Sequence, residues 1–443
     1  MNRRYSIMSI AAVVAVAGLL FASTYSQTQM TASKMSIPSQ DSALTQIRDM
    51  GGIQLQMPSA FAQIPLDQVD SLAAAGRHVV DVKLTAQSVD LPIMGGGKYH
   101  AMTFNGQVPA PTVRVTQGDI IRMTLTVPST EATPHGNDMH ASQMSAGNFG
   151  AVKPGDSTTF AYIAEVPGQF KYHCSGVNVA AMDQHVLSGM YGLTIVDPLG
   201  GYKPLVVDKT DVQNGQVVIK HQRYEADAKE FVLEYNQLYL NADGSYDQTA
   251  MFLHNTTQTV VNGFAFGYVP NADINKLIKG DASKNIFVAQ PWNSADLKQY
   301  QAHPLFVDTG VHYRIFVENQ GNMPVFFHIV GEIMDRVTQG NVAQARGTET
   351  WNIGGSQGAT VDIVFDNPGV YVAVNHDYAA IFSGAATVFV AGDPFKLGYG
   401  PGDMPNPSDA VAPAGLNSIP QKELVHCLCT DEQAANIAKS LSG

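Results

Sequence analysis

Two tandem β-sandwiches of Greek-key type, an all-β fold, are what this sequence predicts, and three observations carry the prediction. Short stretches alternate apolar and polar residues with period two, the mark of half-buried strands, and turn residues separate them at regular spacing. The pattern then recurs, in the same order, in the second half of the chain. The composition is turn-rich and charge-poor: 443 residues include 40 Gly and 23 Pro, and only 14% are charged, against a usual ~25%.

Taken in order, the chain opens with Arg3 and Arg4 before an apolar run over 7–22. A charged region followed by a short apolar one has the form of an export signal, and the run is shorter than the ~20 residues of a membrane span. Segment 1–26 is therefore expected to be a signal peptide, with a retained anchor as the alternative. The body is accordingly expected in the periplasm or another extracytoplasmic space. The arginine pair also permits a twin-arginine reading. Residues 27–76 are Gln-, Ser- and Met-rich without a lasting period, and are expected to form a mobile arm. Strands are predicted from His78 onward: "HVVDVKLTAQSVDL", then "PTVRVTQGDIIRMTLTV" turning at Gln117-Gly118-Asp119, then "STTFAYIAEVPGQFKYHC" and "GMYGLTIVDP". These give a first domain over 77–198.

The second domain, 199–393, repeats the first. "VVNGFAFGYVP" echoes "MTFNGQVPAP", "DTGVHYRIFVEN" echoes "TQGDIIRMTLTV", "NPGVYVAVNHDY" echoes "VPGQFKYHCSG", and "SGAATVFVAGDP" echoes "SGMYGLTIVDP". Residues 270–304 have no counterpart and read as an inserted surface loop with a short helix. The tail, 394–443, is Pro- and Gly-rich and ends in a predicted helix, "TDEQAANIAKSLSG", that Thr430 or Asp431 could cap.

The formal charge of −12 argues against a nucleic-acid partner, which calls for a basic footprint. Cysteines are few: Cys174, Cys427 and Cys429. No disulfide framework holds such a body together, and no Cys-x-x-Cys-His haem motif is present. The terminal Cys427-Leu428-Cys429 could bind copper or form a bridge; the simpler reading is an ordinary tail.

Cys174 draws meaning from its neighbours. His185 and Met190 follow it, and His135 precedes it in the same domain. Two imidazoles, one thiolate and a weak thioether form the ligand set of an electron-transfer copper: soft sulfur favours Cu(I) and imidazole accepts Cu(II). Three of these ligands fall on one segment, read as a loop between two edge strands, while His135 comes from another loop. Singly, each residue has a plainer reading as core or surface; together they point to metal.

A second constellation lies alongside. His173 immediately precedes Cys174, and His140 stands five residues after His135. Adjacent side chains on a strand point to opposite faces, so His173 is expected to face away from the Cys174 metal. In the second repeat Asn375 takes the position of Cys174, and His376 follows it. Three histidines with an open position suit a catalytic metal that binds a small ligand.

At these residues the chain resembles the copper-containing nitrite reductases, two-domain cupredoxin-like proteins, over nearly the whole body from about His78 to Gly392. "PHGNDMHAS", "YHCSG…MDQHVLSGMYG", "FFHIVGEIMDRV" and "VNHDYAAIFSGAA" are the matching segments. The resemblance implies two coppers per chain. Type 1 copper would be held by His135, Cys174, His185 and Met190, and type 2 copper by His140, His173 and His376. It further implies Asp138 and His328 as catalytic groups and Val330 as the apolar residue that crowds the bound ligand. His376 would come from a neighbouring subunit, making a homotrimer with the type 2 site at the subunit interface. The implied reaction is one-electron reduction of nitrite to nitric oxide. A small redox donor, a cupredoxin or a cytochrome c, would supply the electron, and activity would peak at mildly acid pH. The segment from Cys174 to His185 is longer than the family pattern, which bears on the potential of the first site and on donor docking.

Two other readings are weaker. A laccase-like multicopper oxidase needs several His-x-His pairs, and this chain has none. A cupredoxin that only shuttles electrons or stores copper would have no use for His140, His173, His376, Asp138 and His328 together.

Overall fold

Period-two segments become strands where the echoes place them. The computed structural model describes residues 63–94, 97–144, 151–176, 179–269 and 304–399. The expected export segment, the arm up to residue 62, the insertion over 270–303 and the tail from residue 400, with Cys427 and Cys429, lie outside the described residues.

The first part of the chain runs β1 (Gln63–Ile64), α1 (Leu66–Ala74), β2 (Val79–Pro92), β3 (Lys98–Phe104), β4 (Val113–Thr116), β5 (Ile120–Thr126), β6 (Asp138–Met139), β7 (Ser157–Ile163), β8 (Gly168–His173), α2 (Val179–Leu187) and β9 (Tyr191–Asp197). A hairpin of β10 (Leu205–Gln213) and β11 (Gln216–Tyr224) follows. The second part runs β12 (Lys229–Leu238), α3 (Gln248–Phe252), β13 (Gln258–Val261), β14 (Leu305–Val307), β15 (His312–Asn319), β16 (Val325–Val330), β17 (Arg336–Gln339), β18 (Val342–Ala345), β19 (Thr350–Ile353), β20 (Gly358–Val364), β21 (Gly369–Asn375), α4 (Tyr378–Ser383) and β22 (Ala386–Ala391).

These strands make two cupredoxin-like sandwiches. In the first, the sheet β1-β7-β5-β2-β3 faces the sheet β4-β9-β8-β6; in the second, β13-β12-β15-β20-β17-β18 faces β14-β22-β21-β16-β19. The repeat is visible in the pairing. β2 runs parallel to β5 as β12 does to β15, and β4 runs parallel to β9 as β14 does to β22. It is visible in the turns as well. Asn105-Gly106 and Asn262-Gly263 all have positive φ, the requirement of the type I′ turns that Asn-Gly favours, and each closes a bridge, Phe104↔Gln107 and Val261↔Phe264.

Each sandwich has its own core, the first around Leu84, Phe104, Met123, Tyr172 and Cys174, the second around Leu233, Ile315, Phe327, Val361 and Phe389. Two differences from the sequence reading stand out. Residues 63–74 are not a free arm: Ile64 pairs with Ala161 of β7, and Val69 of α1 packs on Ile64, Ile120 and Ala161. The polar positions of several strands also do not face solvent. Gln169 and Lys171 of β8, Glu234 and Asn236 of β12, Arg314 and Glu318 of β15, and Asp362 of β20 are all buried.

Each of those buried residues has a polar partner, as burial demands, and several pairs join the two sandwiches. Arg114 forms a bidentate pair with Asp197 at 2.9 Å and reaches Glu230 of the second sandwich at 2.5 Å. Gln169 Nε2 donates to the carbonyl of Val317 at 2.7 Å. No helix among the described residues is long and apolar enough to cross a membrane.

Candidate metal centres

Strand β8 delivers Cys174 one residue past its end, into the core of the first sandwich. Its Sγ lies 3.7 Å from His135 Nδ1 and 3.3 Å from His185 Nδ1, and the three donor atoms all lie within 4.8 Å of one another. Met190 is fully buried in the same core cluster as Cys174. Its carbonyl accepts from the Cys174 N–H at 3.0 Å, and its own N–H donates to the His185 carbonyl at 3.1 Å. Backbone N–H groups of Gly136 and Gly176 donate to Sγ, the latter at 3.3 Å.

Burial pushes the Cys174 thiol up to about 11, against the pull of those two N–H groups. Burial pushes His185 down to about 4, and lowers His135 against the nearby Glu131. Both imidazoles are thus neutral at pH 7, the form that binds metal. A buried thiol with two Nδ1 atoms beside it, and Met190 in the same core cluster, suits copper in both oxidation states.

The segment between Cys174 and His185 is not an open loop. From Val179 it folds into α2, with His185 in the last turn. Nor do its flanking strands lie at sheet edges: β9 sits between β4 and β8, and β8 between β9 and β6.

One residue back, His173 leaves β8 on the other face. Its Nδ1 donates to the Cys174 carbonyl at 2.8 Å, so Nε2 carries the free lone pair. That Nε2 lies 3.0 Å from His140 Nε2, and the rings meet edge-on with centroids 4.9 Å apart. Strand β6 sets this geometry. Asp138 stands opposite His173 in the ladder, and the His140 N–H donates to the Lys171 carbonyl at 3.1 Å. Asp138 Oδ2 lies 3.8 Å from His140 Nε2 and 3.9 Å from His173 Nε2.

Burial drives His173 down to about 3, helped by Lys171. It lowers His140 too, against Asp138. It raises Asp138, against His140 and Lys171. Two imidazoles with their Nε2 atoms 3.0 Å apart beside a carboxyl fit a metal with room for a further ligand. A cleft of about 400 Å³ opens beside His173, lined by Lys171, Met182, Gln320, Asn322 and Ser356 among others.

The remaining predicted residues gather on the second sandwich. His328 on β16 and His376 just past β21 have ring centroids 5.3 Å apart. His328 Nδ1 donates to the Glu349 carbonyl at 2.7 Å, which leaves its Nε2 free. Val330 is exposed on the same strand. Within one chain His376 is not brought into the group formed by Asp138, His140 and His173.

Comparison with known proteins bears on both centres. A family model described as multicopper oxidase matches residues 85–200. A copper-containing nitrite reductase of Rhizobium sullae is 28% identical over 335 residues, 72% of this chain and 78% of the relative. One from Alcaligenes faecalis is 26% identical over 377 residues, 78% and 88% of the two chains. The solved copper nitrite reductase of Nitrosomonas europaea superposes with a TM-score of 0.54 at 28% identity, over 71% of this chain and 94% of that one. This chain is similar to the copper-containing nitrite reductases.

The likeness to these reductases covers about 71–78% of the chain; of the residues that the sequence singled out, His135, Cys174 and His185 form one cluster and Asp138, His140 and His173 another, while His328, Val330 and His376 lie on the second sandwich. The structure adds partners that sequence patterns do not mark. The N–H groups of Gly136 and Gly176 come from backbone, which no motif records. Lys171 reads as a solvent-facing strand position but is buried, and burial pushes its ammonium down to about 8 against Glu318, Glu234 and Asp138.

Proposed function

We propose that this protein reduces nitrite by one electron to nitric oxide and water, with consumption of two protons. His135, Cys174, His185 and Met190 hold a type 1 copper, and His140 and His173, with His376 of a neighbouring subunit, hold a type 2 copper. The observation that carries this reading is the 3.0 Å approach of His140 Nε2 to His173 Nε2, beside Asp138 and one residue from a thiol that faces the other way. When bound, the two coppers supply a one-electron relay and a Lewis-acid site for the anion.

The chain's own groups do the rest. The peptide between Cys174 and His173 is the short covalent path between the centres, reinforced by the His173 Nδ1–H bond to the Cys174 carbonyl. Asp138, whose proton affinity burial raises, donates a proton to the leaving oxygen. His328, fixed through Nδ1 by Glu349, delivers the second, and Val330 narrows the space above the ligand.

A homotrimer is part of the same proposal, and the distribution of ligands over two faces supports contact between copies. His328 and His376 sit on a face that exposes Phe326 at 38%, Val330 at 50% and Tyr378 at 66%. Apolar exposure of that kind suits an interface between copies. The donor is a small redox protein, a cupredoxin or a cytochrome c, and Arg3-Arg4 with the apolar run over 7–22 supports export.

Copper analysis with electron paramagnetic resonance, alongside light scattering, tests the proposal. Two coppers per chain with distinct signals, one of them altered by nitrite, in a trimeric protein are expected. One copper per chain, or a second signal indifferent to nitrite, would reduce the protein to an electron carrier.

A further inference from the structure

The ligand segment of the first centre is held from outside its own sandwich. α2 carries His185 in its last turn, and anchors for it come from the second part of the chain. Asp183 accepts from Tyr246 Oη at 2.8 Å and from Gln248 Nε2 at 3.1 Å. The Leu187 carbonyl accepts from Asn236 Nδ2 at 3.1 Å, and the Leu187 side chain packs with Tyr239, Ala250 and Met251.

Tyr246 stands on a braced turn. It bridges Leu240, the Asn241 N–H donates to the Ser245 carbonyl at 2.9 Å, and the Gly244 carbonyl accepts from the His100 N–H of β3 at 3.0 Å. Each residue added to a ligand segment adds conformations that must be given up before the histidine is in place. Coiling into a helix removes that freedom within the segment, and the contacts above fix where the helix stands.

We infer that Tyr246 is a positioning residue for the first metal centre, its hydroxyl holding α2 through Asp183 and so fixing His185 beside Cys174 and His135. The inference rests on the copper reading of that centre. Groups that orient a metal's ligands tune its geometry and potential, and a ligand held in one place lets copper change oxidation state with little rearrangement. The second sandwich thereby tunes the electron-transfer site of the first.

Asp183 also acts on His185 through its charge, so the test separates the hydrogen bond from the charge. It uses the full-length protein as wild type, Y246F, D183A and D183N, with and without copper. D183N keeps an oxygen that can accept from the Tyr246 hydroxyl. Visible absorption and electron paramagnetic resonance of the copper-loaded protein report the geometry of the first centre, and pulse radiolysis reports electron transfer between the coppers. Hydrogen exchange of the α2 amides in the metal-free protein reports the clamp itself. Y246F and D183A are expected to keep their copper, to change the ratio of the thiolate–copper bands and to slow electron transfer several-fold. They should speed α2 exchange about tenfold, the loss of a hydrogen bond to a charged group, while D183N stays within about twofold of wild type throughout. If D183A does not fold, Y246F, which removes a single oxygen, decides. Wild-type bands and rates in Y246F would overturn the inference, and so would faster exchange with unchanged bands, the mark of a structural brace alone. Wild-type protein without thiolate–copper absorption would instead overturn the assignment of the first centre, and α2 exchange would still show whether Tyr246 holds the helix.

Discussion

At the strand end where the first sandwich carries Cys174, the second carries Asn375, and the backbone around the two is the same. The Cys174 N–H donates to Met190 at 3.0 Å, and the Asn375 N–H donates to Ala385 at 3.2 Å. The Met190 N–H then donates to His185 at 3.1 Å, as the Ala385 N–H does to Ala380 at 2.9 Å. Asp138 stands opposite His173 as His328 stands opposite Val374, so three residues earlier His135 corresponds to Val325. The ligand set of the first sandwich is thus matched, position for position, by Val325, Asn375, Ala380 and Ala385. Val325, Ala380 and Ala385 belong to the apolar core.

Asn375 keeps the polar role of the sulfur alone. Its Oδ1 accepts from the N–H groups of Phe326 and Asp377, as Cys174 Sγ accepts from those of Gly136 and Gly176. On the proposed reading, one scaffold either holds a metal or, with Val325, Ala380 and Ala385 in its core and Asn375 in place of the cysteine, does without one. The outer faces diverge in the same way: Asp138 and His140 on the first sandwich correspond to His328 and Val330 on the second.

Several substitutions sharpen the comparison. The largest effect is expected from Cys174→Asn, which gives the first sandwich the solution used by the second. Thiolate–copper absorption should vanish and electron delivery to the second centre should fall more than a thousandfold, with the melting temperature little changed. Retained visible absorption would show that the sulfur is not a ligand. Asp138→Asn should slow nitrite turnover by about 10²–10⁴-fold, the usual worth of a positioned proton donor, and leave the spectrum of the first centre intact. Turnover within a factor of three of wild type would remove Asp138 from the reaction.

Gly189 and Gly384 occupy equivalent corners with φ of 133° and 134°. A Cβ at Gly189 would lie 2.5 Å from Val108 Cγ2, and one at Gly384 would lie 2.2 Å from the Thr259 carbonyl oxygen. Alanine at either corner should cost about 1–3 kcal/mol of stability, read by denaturant unfolding. Only Gly189→Ala, next to Met190, should also shift the absorption of the first centre; equal spectral shifts in both variants would break the parallel.

The smallest effect concerns the buried seam. Glu234 titrates near 8 and Glu318 near 7 when folded, both raised by burial, against about 4.3 for an unfolded glutamate. Folding therefore gains most from these protonated carboxyls below about pH 4, and that contribution is lost as pH rises through 7 to 8. Glu234→Gln should flatten the decline of melting temperature between pH 5 and 9. A variant that declines as steeply as wild type would show that Glu234 is ionised throughout.

Fold and site were legible to different degrees. The echoes around Asn105 and Asn262, and the alternation in β2, β5, β8 and β15, mark the sandwiches because period two and Asn-Gly turns follow directly from strand geometry. His135, Cys174, His185 and Met190 stood out because their chemistry is rare in combination. α1 was missed because its apolar spacing, Leu66, Val69 and Leu72, lies in a polar segment too short to show a lasting period. α2 was missed because nothing in the ligand spacing requires the intervening residues to be helical. Lys171, Glu234 and Glu318 are buried, which alternation does not reveal, since it records which face is polar and not whether another sandwich covers it. His376 shows the limit of a single chain: it stands beside His328 and outside the group of Asp138, His140 and His173.

The account stands or falls on neighbouring side chains at 173 and 174 serving separate metals. Copper content and electron paramagnetic resonance of Cys174→Asn and His173→Ala, prepared side by side, measure this directly. The expected result is complementary loss: the cysteine variant keeps one copper without thiolate absorption, and the histidine variant keeps one copper with that absorption intact. Loss of the same signal in both variants, or of both coppers in each, would contradict it.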